Sequence, residues 1–139
     1  MDRQVTTPHR VVNPGSLAPP RGFAHAVVPA LGRTVYLGGQ AAHDASGKIT
    51  ETTMAGQFGA AAANVLEALR AAGGEPGHLV SLHIYVTDAD AYRSALADLK
   101  TAYRKHFGDH YPAIALFEVT GLFDPKAMVE LVGIAVVPE

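Results

Sequence analysis

The sequence contains no cysteine and no tryptophan in its 139 residues. Without thiols, disulfides, thiolate metal sites and cysteine nucleophiles are excluded. Charge is scarce as well. Only 17% of residues are charged, and Lys+Arg 11 against Asp+Glu 13 leaves a formal −2. No bulk positive field exists to hold a phosphate backbone, so nucleic acid is not an expected partner. No apolar run reaches the roughly 18 residues that a membrane span needs. The opening Met1-Asp2-Arg3-Gln4 lacks the apolar core of a signal peptide. The expected setting is cytoplasmic, away from membranes. Neither HExxH nor a GxSxG elbow occurs. His106 and His110 stand four apart, but Gly108 interrupts the helix that would align them. No metal site is expected.

What the chain does have is apolar weight: 48% hydrophobic residues and a mean hydropathy of +0.12. A chain of this size is read as one domain, 1–139, able to bury about two-thirds of its unfolded surface. That much apolar surface on so small a chain points to an oligomer. Residues 1–22 hold Pro8, Pro14, Pro19 and Pro20, which oppose regular structure, and read as an extended N-terminal arm. Arg33 to Gly38 reads as a strand ending in Gly38-Gly39. Met54, Phe58, Ala61, Val65, Leu69 and Ala72 mark one face of a long helix, with Thr52 or Thr53 to cap it and Gly73-Gly74 to close it. Leu79 to Thr87 reads as a strand. Its even positions are aliphatic and suit helices. Its odd positions, including Ser81, His83 and Tyr85, are mixed and suit a subunit interface. Asp88 or Asp90 starts a second helix with inner stripe Tyr92, Leu96, Leu99 and Tyr103, stopped by Gly108. Strands over Ala113–Thr120 and Ala127–Val137 complete the chain. Two helices in a largely β chain belong on one face of a mixed sheet, an α+β class.

Glu130 is the most informative residue. It sits in the apolar run Met128–Val137, where neither alternating face offers open water. Such a carboxylate is either a structural acceptor of backbone N–H groups or an acid/base group that handles water. Glu118 is a rim charge or the partner of a cation. Gly38-Gly39-Gln40 allows positive φ and close backbone approach, though Gly-Gly is common in plain turns.

Taken in order and spacing, several weak pieces make a specific pattern. They are Asn13-Pro14-Gly15, Gly22-Phe23-Ala24-His25-Ala26-Val27, Val35 to Gln40, Asn64 to Leu69, Ala71-Ala-Gly73, Val86-Thr-Asp88, Tyr111-Pro-Ala113 and Val129-Glu-Leu131. The chain thereby resembles the reactive intermediate deaminase family, also called Rid or YjgF-like, from about Asn13 to Val137. The resemblance implies a chorismate-mutase-like fold: a mixed sheet with two helices on one face, in a homotrimer with a central barrel and three inter-subunit clefts. It implies cofactor-free hydrolytic deamination of small imines or enamines such as 2-aminoacrylate. Glu130 falls at the position of the family's water-handling glutamate, and Gly38, Gly39 and Gln40 at its substrate-holding turn. Departures stand beside these. The arginine that clamps a substrate carboxylate is replaced by Ile114, followed by Leu116; the family tyrosine by Phe23; a helix asparagine by Lys100. The loop Gly121–Pro125 is about one residue longer. The implied activity is therefore hydrolysis with an altered substrate range. The alternatives are binding of an apolar small molecule without turnover and, third, RNA cleavage, which the charge balance opposes.

Overall fold

A computed structural model describes residues 4–139. The four-stranded sheet runs β3-β6-β4-β5. Its members are β3 (Gly32–Gln40), β4 (Leu79–Val86), β5 (Ala113–Glu118) and β6 (Val129–Pro138). The central pairs β3·β6 and β6·β4 are antiparallel, and β4·β5 is parallel. A parallel neighbour needs a crossover, and helices supply it. The sheet is mixed, as its α+β reading requires.

Helix α1 (Met54–Ala71) forms where the apolar spacing places it. Thr53 caps it, its hydroxyl accepting from the Gly56 N–H at 3.0 Å, and Gly73, at φ +89°, turns the chain out of it. Its stripe of Phe58, Ala61, Val65 and Leu69 is essentially free of solvent and meets Leu79, Leu82 and Leu131 of the sheet. Each of the larger side chains contributes about 1.5–3 kcal/mol of burial.

The second helical segment departs from a single rod. It breaks at Ala95 into α2 (Ala89–Ser94) and α3 (Leu96–Phe107). Asp88 caps α2 by accepting from the Ala91 N–H at 3.0 Å, and Glu118 accepts the Ala89 N–H at 2.9 Å. Glu118 thus serves a helix start rather than a cation. The break rotates Leu96 away from the core, where it is 56% exposed, while Leu99 and Tyr103 stay buried. Gly108, at φ +66°, ends α3 as expected.

The proline-rich arm is not devoid of regular structure. Arg10–Val12 (β1) pairs antiparallel with Ala26–Val28 (β2), and His9 fastens the preceding turn. Its Nδ1 accepts from the Ala30 N–H at 3.0 Å, so its Nε2 is the protonated nitrogen donating to the His78 carbonyl at 3.0 Å. The first three residues of the expected arm lie outside the described residues. No helix among the described residues is long and apolar enough to cross a membrane.

Helices cover one face of the sheet only. The other face carries Ser81, His83 and Tyr85, together with Tyr36, Phe117 and Glu130 at matching register. Tyr85 stacks on Phe117 at 5.4 Å and His83 packs edge-on to Phe117 at 5.6 Å. Tyr36 is 78% exposed there.

Candidate functional site

Glu130 stands directly across from Tyr85, so its side chain lies on the uncovered face, half-buried in a single chain. What adjoins it is the end of β3. The β3·β6 ladder slips between Leu37, opposite Gly133, and Gln40, opposite Leu131. Gly38 and Gly39 therefore share one partner residue, a β-bulge. A Cβ on Gly39 would lie 2.5 Å from Glu130 Oε2 and 3.0 Å from its carboxyl carbon. The carboxylate occupies the space a side chain at 39 would fill. Neither Gly38 nor Gly39 has positive φ, so close approach, not conformational freedom, is what the glycine supplies. Gln40 folds back, its Nε2 donating to the Gly38 carbonyl at 3.4 Å. Among the described residues no hydrogen bond or ion pair reaches the Glu130 carboxylate.

Gln57, which the sequence pattern does not name, and Asn64, which it names only as the start of a family segment, hold this corner in place. Gln57, 2% exposed on α1, accepts the Met128 N–H at 2.7 Å and donates to the Glu51 and Lys126 carbonyls. It anchors the chain as it enters β6. Asn64, about two turns further along α1, donates to the Ala41 and His43 carbonyls and anchors the chain as it leaves β3. The available signal was an amide beside an apolar helical stripe. His43 Nε2 lies 2.9 Å from Asp124 Oδ2. The Lys126 N–H and His43 together hold the Asp124 carboxyl below its usual range.

Ile114 and Leu116 lie elsewhere. They stand opposite Leu82 and Ile84, on the helix-covered face. With Phe23, Lys100 and the α3 residues Leu99 and Tyr103 they line a cavity of about 760 Å³. Ile114 and Glu130 are thus on opposite faces. They are also offset by three residues of β4, about 10 Å along the strand. One chain brings Gly38, Gly39, Gln40 and Glu130 together, and separately Phe23, Lys100, Ile114 and Leu116. It does not bring the two sets together.

Four histidines serve the backbone, one of them His25, whose Nε2 lies 2.8 Å from the Ala18 carbonyl. His9 is described above, His78 Nδ1 accepts the Glu75 N–H at 3.0 Å, and His110 Nε2 meets the Leu79 carbonyl at 2.8 Å. Burial lowers the pKa of His78 and of His110, favouring their neutral forms. No group of three or more potential ligands suited to a metal ion occurs among the described residues.

Comparison with known proteins fits this architecture. The family model described as Endoribonuclease L-PSP matches residues 15–137. No curated protein matches the chain. Among solved structures, the Rid-family protein YyfB from Yersinia pestis is similar at 31% identity and TM-score 0.84, over 93% of this chain and 98% of its own. RidA from the Antarctic bacterium Psychrobacter sp. is similar at 26% identity and TM-score 0.66, over 86% of this chain and 92% of its own. The YjgF gene product of E. coli is similar at 25% identity and TM-score 0.66, over 77% and 83%. The chain belongs to the Rid/YjgF family, the family of the Endoribonuclease L-PSP model.

Proposed function

We propose that this protein is a homotrimeric, cytoplasmic hydrolase of a small imine- or enamine-like metabolite. Its site is completed between copies, one chain supplying the Glu130 corner and its neighbour the Ile114 cavity. The observation that carries this is the split itself: the two halves lie on opposite faces of one sheet, an arrangement that a second copy would complete. The uncovered face of β4, with His83, Tyr85 and Phe117, supports the barrel contact.

The chemistry rests on Glu130. An unpaired carboxylate facing a bulge accepts a proton from water as that water adds to the imine carbon. The protonated Glu130 returns that proton to the nitrogen, and the resulting carbinolamine loses ammonia, leaving a carbonyl product. Water is the only co-reactant, so the reaction needs no cofactor. Ile114 cannot bind a carboxylate, which removes the bidentate clamp of the family pattern and shifts the substrate range.

Ammonia release is the test, with freshly generated 2-aminoacrylate compared against an imine that has no carboxylate next to the imine carbon. Release from the second above the first is expected. Release from neither leaves non-catalytic binding of an apolar molecule, which the largely apolar cavity supports. Robust turnover of 2-aminoacrylate would show that another cation does the clamping. RNA cleavage is disfavoured by the −2 net charge.

A further inference from the structure

The helix-side cavity has a composition of its own. Most of its lining is apolar or aromatic: Phe23, Tyr92, Leu99, Tyr103, Ile114 and Leu116 among them. Among the described residues, every charged group lining it is a cation, and no carboxylate lines it. Arg21 and Lys100 are exposed and stand at the mouth, Arg104 is a half-buried part of the wall, and Ile114 carries no charge. The deeply buried Tyr103 hydroxyl is already committed, donating to the His110 carbonyl at 2.7 Å. Its ring, stacked on Tyr111 at 4.9 Å, presents only a face. Burial raises the Tyr92 and Tyr103 pKa values, so neither adds negative charge near neutral pH. A volume of about 760 Å³ falls within the roughly 300–1,000 Å³ of pockets that enclose drug-sized ligands. It far exceeds what a three-carbon acid fills.

We infer that this cavity takes an amphipathic monoanion, body first: an aromatic or branched aliphatic group against Tyr92, Leu99, Tyr103 and Ile114, with its carboxylate left at the mouth beside Lys100 and Arg21. A short acid cannot reach both the apolar floor and the cationic rim, whereas a longer one satisfies both. The inference deepens the proposed function by naming its substrate class, and it rests on that reading only for the hydrolytic step, not for binding.

The test is a binding titration, which needs no turnover. The chain has five tyrosines and no tryptophan. Three of them, Tyr92, Tyr103 and Tyr111, line the cavity, so tyrosine fluorescence reports occupancy. The probes are 3-phenylpropionate, 3-phenyl-1-propanol with the body but no charge, and acetate with the charge but no body. Saturable binding of 3-phenylpropionate is expected, at least about tenfold tighter than either control. Lys100→Glu, at an exposed position, should weaken that binding by about fivefold or more and leave melting unchanged, since exposed charges contribute little to stability. Leu96→Glu, at the exposed wall of the cavity, should weaken it as well. Equal binding of acid and alcohol, or no effect of Lys100→Glu, overturns the cationic mouth. Equal binding of acetate, or no saturation with 3-phenylpropionate, overturns the apolar body site. Binding without ammonia release from any imine sinks the hydrolytic reading and leaves this one standing.

Discussion

The two halves of the site are built on different principles. The Glu130 corner is tight: a bulge of two glycines, a carboxylate filling the missing side chain's space, and two helix amides fastening the flanking chain. The Ile114 cavity is roomy and apolar, walled by a helix pair that breaks at Ala95 and left with cations at its mouth. The first arrangement fixes one small reacting group. The second accepts a body of variable shape. Under the proposed function, a chain that keeps the first and changes the second retains a reaction type and alters what undergoes it.

The largest expected effect comes from the tight half. Glu130→Gln is nearly isosteric, and no partner among the described residues depends on the carboxylate. Turnover of whichever imine proves to be hydrolysed should drop by about a hundredfold or more, with the melting temperature preserved. Early melting together with full specific activity would remove Glu130 from the reaction.

Next is the roomy half. Ile114→Arg places a guanidinium in the cavity and should raise 2-aminoacrylate turnover, by roughly a hundredfold if a bidentate clamp is restored. No gain would mean that this position does not face the substrate's carboxylate.

The third effect tests the fastening between them. Gln57→Leu leaves the Met128 N–H and two carbonyls without their partner. Unfolding should cost about 1–3 kcal/mol less in denaturant titration. An unchanged midpoint would show that water replaces the amide there.

The smallest effect is acid sensitivity. Burial keeps His110 neutral when folded, with its pKa below the ordinary 6.5. Below pH 6.5 the unfolded chain takes up a proton that the folded chain refuses. Its contribution is therefore intact above that pH and lost as pH falls, and His78 acts with the same sign. Melting at about pH 7.5 should exceed melting at about pH 5.5, and His110→Gln should flatten the slope. A higher melting temperature at the acid pH would contradict the sign.

How much of this the sequence shows varies by region. Helix α1 and strand β4 are plain, because their periods of about 3.6 and 2 run for several repeats. The break at Ala95 is not, because alanine is the best helix former and gives no stop signal. Nor is β1, three residues between prolines whose partner, Ala26–Val28, is distant in sequence. At the site, alternation places Glu130 in an apolar strand and spacing marks Gly39. The opposition of Glu130 and Ile114 is invisible, because it depends on the register of β5 and β6 against β4, which no single strand's pattern encodes. The same limit hides Gln57 and the role of Asn64, whose partners are backbone groups far along the chain.

Completion of the site between copies is the central claim, and the mass in solution tests it most directly. Light scattering at micromolar concentration should give three times the 14.6 kDa chain mass, and Glu130→Gln should leave that value unchanged. A monodisperse signal at one chain mass would contradict it, because the Glu130 corner and the Ile114 cavity would then have no means of meeting.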